Sequence, residues 1–230
     1  MSTMLNHPFY PPNLNPTGYA ANTMSISAIL GAFAIAVVSI IGFTSIVLKI
    51  RPSISRGDKI LVGWFVFKGY FVFNHQTMPR RLDLLGQMWK EYAKADSRYM
   101  TMEPFVLCME SITAFAWGPL CYFIAWMIVA DSPHRHPTQM IVSMGQLYGD
   151  VLYYATSIAE EKYHGVSYSR PETFYYWGYF IFLNSFWILI PAFCMYQSYS
   201  AMVGVFRQST VRSAKKNLKF WGSFTHQMEK

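Results

Sequence analysis

A few polar side chains interrupt long apolar stretches of this 230-residue chain, and their spacing suggests chemistry. Glu110 lies in one such stretch, followed at i+3 and i+7 by Thr113 and Trp117 on the same helical face. A carboxyl group in apolar surroundings has its pKa raised into a range useful for moving protons. The competing reading is a packing residue hydrogen-bonded to a neighbouring helix. Gln146, Asp150 and Tyr154 form a second stripe at i, i+4 and i+8, beside Gly145 and Gly149. There the glycines allow helices to approach and the Gln and Asp tie them together, which accounts for Asp150 as well as a chemical role does. Asn184, Trp187 and Pro191 share a third face. Trp187 lies mid-block, where its π-face can stabilise a desolvated cation by ~2 kcal/mol; the alternative is an aromatic of the membrane interface. Tyr175, Tyr176 and Trp177 read as such a belt. Together these side chains suit an apolar cavity for a hydrocarbon ligand carrying a developing or fixed positive charge. No metal or cofactor is expected: His134 and His136 fall in a short loop, and Cys108, Cys121 and Cys194 lack ligand spacing.

Five apolar segments must position these residues, at about 24–48, 60–74, 105–130, 139–158 and 174–206. The expected fold is therefore all-α, a single five-span membrane domain covering 1–230. The composition agrees, with 53% hydrophobic and only 13% charged residues. The first segment holds no charge, exceeds the ~20 residues a span requires, and is entered from a Pro/Asn-rich arm, His7 to Asn22. The net charge of +7 does not point to nucleic acid, because Lys and Arg cluster beside the apolar blocks. Lys49, Arg51, Arg56 and Lys59 form one group and Arg207, Arg212, Lys215, Lys216 and Lys219 another, on a basic tail over 207–230. Such juxtamembrane charge stays cytoplasmic and attracts anionic headgroups. With the N-terminus lumenal, eleven Lys and Arg outside the spans are cytoplasmic and seven lumenal, which favours that orientation and a cytoplasmic C-terminus. A proton-coupled transporter would also use buried carboxylates, but more spans and a repeat would be expected of it. The longest connection, 75–104, is polar. The second segment is short and contains Lys68.

The run Gln87-Met88-Trp89-Lys90-Glu91-Tyr92-Ala93-Lys94-Ala95-Asp96-Ser97-Arg98-Tyr99 resembles the signature loop of the emopamil-binding protein family, the sterol Δ8–Δ7 isomerases with an EXPERA-type fold. Cys108 to Ala114 with Trp117-Gly118-Pro119, Gly145 to Tyr153, and Asn184, Trp187 and Pro191 resemble that family's third, fourth and fifth spans. The resemblance covers nearly the whole chain. The sigma-2 receptor shares the fold, but the loop here is similar to the isomerase branch. The resemblance implies a five-helix protein of the endoplasmic reticulum membrane that shifts a sterol ring double bond. One alkene carbon is protonated, a tertiary carbocation forms, and a proton leaves C7, without redox cofactor or metal. It implies Glu110 and Thr113 as catalytic residues, Asn184 as a further hydrogen-bond partner, and Trp187 facing the cation. Trp117 and Asp150 complete the substrate-binding set. Beyond the sterol, the implied partners are membrane lipids, cationic amphiphilic amines as inhibitors, and a second copy of the chain in a homodimer.

The sequence departs from the family pattern in one place. The family carries a His and, four residues later, a Glu in the second span, just before a Gly-aromatic-Phe-Val segment. Here Trp64-Phe65-Val66-Phe67-Lys68 runs directly into Gly69-Tyr70-Phe71-Val72. About eight residues are missing, and adding them to the segment would restore an ordinary span of ~20 or more. His75 lies beyond the segment and is a poor substitute. The alternative to the isomerase is therefore a catalytically impaired membrane protein that binds sterols or cationic amphiphiles. A family-like eight-residue insert between Lys68 and Gly69 is expected to raise Δ8-to-Δ7 conversion by ~10²–10⁴-fold, the usual worth of a general acid. Complementation of a cell lacking its own isomerase measures it, and full conversion by the uninserted chain would refute it.

Overall fold

The computed structural model describes residues 7–50, 53–70 and 77–228, and every regular element among them is a helix. The chain enters α1 (Ile26–Val47) through Ser25, whose hydroxyl accepts from the Ala28 amide and so satisfies one of the first-turn donors. Most of α1 faces outward, exposing Ile35, Val38, Phe43 and Ile46. An exposed apolar surface of this extent suits a helix that meets lipid.

A short turn, Leu48–Ile50, precedes α2 (Arg56–Tyr70). The second apolar segment thus begins its helix at Arg56; its last residues, 71–74, and His75 lie outside the described residues. The third segment forms one rod from three pieces: α4 (Pro104–Ile112), a wide turn Thr113–Trp117, and α5 (Gly118–Val129). Glu103 caps it by accepting from the Val106 amide, with Pro104 as the first helical residue. Pro119 has no N–H to close on Phe115, and the ladder widens just there, with the Gly118 amide reaching back to the Thr113 carbonyl. The fourth segment is α6 (Arg135–Ala159), continued by a wide turn, Glu160–His164, and stopped by Gly165 at φ 69°. The last begins as a wide helix, Phe174–Leu183, and runs on as α7 (Asn184–Met228). Helix α7 carries on through the basic tail to Met228. Arg207, Arg212, Lys215 and Lys216 are exposed along it.

Three of these helices are long and apolar enough to cross a membrane: Ile26–Ile46, Pro104–Val129 and Phe174–Lys216. Helix α2 is short, at 15 residues. Helix α6 is long enough at 25 residues but carries a polar stripe on its inner face. Gln139, Ser143, Gln146, Asp150 and Ser157 are all buried along it, so its hydropathy is low although it packs inside the bundle. Helix α6 lies against α5 and α7, α2 lies against α5, and α1 rests on α2 and on α3 (Leu84–Tyr92). Asp58 at the start of α2 pairs with Arg135 at the start of α6. Burial pushes the Asp58 carboxyl up, but the hydrogen bond and charge of Arg135 outweigh it and hold it below the usual carboxylate range.

Among the described residues, the polar connection between the second and third segments is densely buried over 90–100. It contains α3, capped by Asp83 accepting from the Gly86 amide, and the turn Ser97–Met100. Asp96 is 0% and Arg98 1% exposed. Arg98 forks onto both carboxylate oxygens of Asp96 at 2.6–3.0 Å and donates to the Tyr153 carbonyl at 3.0 Å and the Thr156 hydroxyl at 2.8 Å. Its guanidinium also lies 4.8 Å from the Tyr153 ring centroid. Arg98 thereby fastens the connection to α6. The N-terminal arm is packed under the same connection, with Phe9 buried and the Tyr10 carbonyl accepting from Ser97. Lys90 donates to the Ala20 carbonyl at 2.6 Å, and the Gln87 side chain accepts from the Thr23 and Met24 amides.

Removing one partner of such a pair leaves a buried charge uncompensated. Arg98→Leu is expected to destabilise the fold by about 3–5 kcal/mol, read as a lowered thermal midpoint in detergent. Adding Asp96→Asn is expected to recover part of that loss; no recovery would show that Arg98 acts through its contacts to α6 alone.

Candidate functional site

Among the described residues, the bundle and the buried connection line an apolar cavity of about 420 Å³, within the range of small-molecule sites. Glu110, Thr113, Trp117, Asp150, Asn184 and Trp187, chosen from three separate stretches of sequence, all line it. Pro191 is buried in α7 but is not part of the lining.

Several lining residues have an identifiable support. Glu110 accepts a 2.9 Å hydrogen bond from the Tyr99 hydroxyl. The Thr113 hydroxyl donates to the Met109 carbonyl of its own helix at 3.0 Å, a local bond common for threonine within helices. Asn184 accepts from the Tyr92 hydroxyl at 2.8 Å and donates to the Phe180 carbonyl at 2.8 Å. The wide helix before it supplies that carbonyl. Gln146 lines the cavity too, and its amide donates to the Cys121 sulfur at 3.2 Å. Tyr154, the third member of the α6 stripe, turns away to the Ile181 carbonyl at 2.6 Å; Tyr153 takes its place in the lining.

Tyr92 and Tyr99 are the residues whose roles reading the sequence did not assign. They belong to the polar connection, and their rings meet at 5.5 Å. Burial raises both phenols above their ordinary value, so each remains protonated and donates to its partner. Their only sequence signal was membership of the signature loop. Trp64 was missed as well. It stands edge-on to Trp187 with centroids 5.5 Å apart, and with Trp117 and Trp89 the two give the cavity four indoles. Such walls favour a cation enclosed between them. Of the presumed belt, Trp177 is 60% exposed, whereas Tyr175 is buried and donates to Glu91 at 3.3 Å.

The cavity's walls also explain Gly145. A Cβ there would sit 2.4 Å from the Trp117 ring, so the missing side chain is the space the indole occupies. Gly149 is different, with nothing nearer than Met109 at 3.9 Å. Ile29, Leu30, Phe33 and Val37 of α1 and Leu183, Phe186 and Trp187 of the last segment also line the cavity. Among the described residues α1 packs on α2 and α3 and not closely on α7. Leu30 and Phe186 are partly exposed.

A helical membrane protein with an indole-walled and carboxylate-bearing cavity is the class these features define. The EXPERA (EXPanded EBP superfamily) model matches residues 84–198. The 3-beta-hydroxysteroid-Delta(8),Delta(7)-isomerase of Mus musculus is 35% identical over 202 residues, covering 83% of this chain and 86% of that one. The rat protein of the same name is 34% identical over 204 residues, covering 84% and 86%. A probable isomerase of the same kind from Arabidopsis thaliana is 32% identical over 200 residues, covering 82% and 85%. This chain belongs to the EXPERA family.

Gly145→Ala is expected to push Trp117 into the cavity and weaken binding of a radiolabelled cationic amphiphile several-fold. Gly149→Ala is expected to do much less. Equal effects of the two would show that the Trp117 contact is not what limits the site.

Proposed function

We propose that the chain is a sterol Δ8–Δ7 isomerase, moving a ring double bond by protonation and deprotonation through a carbocation. The observation that carries this reading is the convergence of Glu110 and the indoles of Trp64, Trp117 and Trp187 on one apolar cavity. Such a reaction requires a group that moves protons and walls that stabilise positive charge as it develops. Glu110 is the acid–base group, with its carboxyl oriented by Tyr99. Thr113, one turn further along the same helical face, completes the catalytic pair. Trp187 faces the carbocation, Trp117 closes the opposite wall, and Asn184 and Asp150 hold substrate. A fixed ammonium resembles the cation, so cationic amphiphilic amines compete for the cavity.

In this reading all five apolar segments cross the endoplasmic reticulum membrane, with the N-terminus lumenal and the basic extension of α7 cytoplasmic. The polar stripe of α6 is compatible with a span because it faces protein rather than lipid. A homodimer is compatible with the outward apolar faces. One specific observation favours a second reading, binding without turnover: Trp64 to Lys68 runs directly into Gly69, leaving out the stretch that holds a His and a Glu in the family pattern.

Glu110→Gln separates the two readings. In membranes supplied with a Δ8 sterol, the parent chain is expected to form the Δ7 product and the variant to lose at least ~10²-fold in rate, while amphiphile binding persists in both. Conversion by the variant near the parent rate would remove Glu110 from the mechanism. Saturable binding with no conversion by the parent would establish the second reading.

A further inference from the structure

One end of the cavity holds polar groups that the proton chemistry does not use. Tyr179 lines the cavity and is 7% exposed, and its hydroxyl has no hydrogen-bond partner among the described residues. Glu91 also lines the cavity, and its residue is 2% exposed. The Glu91 charge is kept in place by Lys94, whose ammonium lies 2.6 Å from Oε2. Oε1 accepts a longer 3.3 Å bond from Tyr175. Tyr175 joins the two residues, since its ring packs against that of Tyr179 with centroids 5.7 Å apart. A buried hydroxyl left unpaired is costly, so a ligand group is the natural partner.

We propose that Tyr179 and Glu91 form the subsite for the ligand's alcohol group, the 3-hydroxyl of a sterol, with Tyr179 donating to its oxygen and Glu91 accepting its proton. An alcohol both donates and accepts, and these two side chains offer one of each. The inference rests on the isomerase reading above, whose substrate it orients. Tyr179 precedes Asn184 by five residues, about one turn of the wide helix, and the 3-hydroxyl and the reacting alkene of a Δ8 sterol lie on opposite sides of two fused rings. Depth agrees. Glu91 belongs to the extramembrane connection and Tyr179 to the first turns of the last segment. A sterol in a bilayer keeps its hydroxyl at the headgroup level, so it can enter from lipid without carrying that group through hydrocarbon. The other polar end, at Gln146, lies mid-segment and would require the reverse orientation.

The test compares saturable binding of a radiolabelled Δ8 sterol with that of its 3-deoxy counterpart, in membranes containing the full chain. Tyr179→Phe keeps the ring and removes only the hydroxyl. It is expected to weaken sterol binding by roughly three- to tenfold and to leave 3-deoxy binding unchanged. Glu91→Gln serves as a second variant with the same expected selectivity. Equal losses for both ligands, or none, would overturn the proposal. So would a selective loss in Gln146→Leu instead, which would place the hydroxyl at the opposite end. Because binding is read without turnover, an absence of isomerase activity does not mimic any of these outcomes.

Discussion

Much of this structure depends on a charge that has been taken out of water. Arg98, at 1% exposure, is held by the Asp96 carboxylate and by carbonyl and hydroxyl groups of α6. A buried pair of this kind adds little net stability over well-packed apolar residues, because its desolvation cost offsets its attraction. What it contributes is specificity, since few arrangements satisfy so many donors at once. With Arg98 fastened to Tyr153 and Thr156, the connection between the second and third segments has one position above the cavity. Tyr99 follows Arg98 directly, and Tyr92 packs on Tyr99. The hydroxyls reaching Glu110 and Asn184 are therefore set by an ion pair that touches neither.

The same connection decides how water is kept from the cavity. Gln87, Lys90 and Ser97 spend their polar groups on the backbone of the N-terminal arm. The arm, rich in Pro and poor in regular hydrogen bonds, is held down by side chains from elsewhere. Glu91 and Tyr99, which line the cavity from this connection, are both buried. In the proposed reaction the carbocation forms in these apolar surroundings, from a neutral sterol that enters from lipid.

Helix α6 shows how hydropathy and burial can disagree. Its inward face carries Gln139, Ser143, Gln146, Asp150 and Ser157, all buried. An average over the helix counts these as cost, although they meet protein and the cavity, not hydrocarbon. The exposed apolar faces of α1 and α7 show the converse, with residues that would be core in water facing outward. In a bilayer the solvent is apolar, and polar residues select the interior.

The sequence by itself determined the helical class, since only helices satisfy the backbone within uninterrupted apolar stretches. It also determined the candidate set. An ionisable or amide group is costly enough at membrane depth that Glu110, Asp150 and Asn184 stood out, and helical periodicity gave Thr113 and Trp117 their shared face with Glu110. Only the tertiary structure decided that residues more than seventy positions apart line one cavity. It also decided that Tyr92 and Tyr99 serve the site. A tyrosine in a polar connection carries no local sign of burial, because what buries it is Arg98 reaching across to α6. Gly145 was legible as a close approach, but not that the approaching group is the Trp117 ring. Periodicity is a property of one helix, whereas the partner that fills a gap belongs to another.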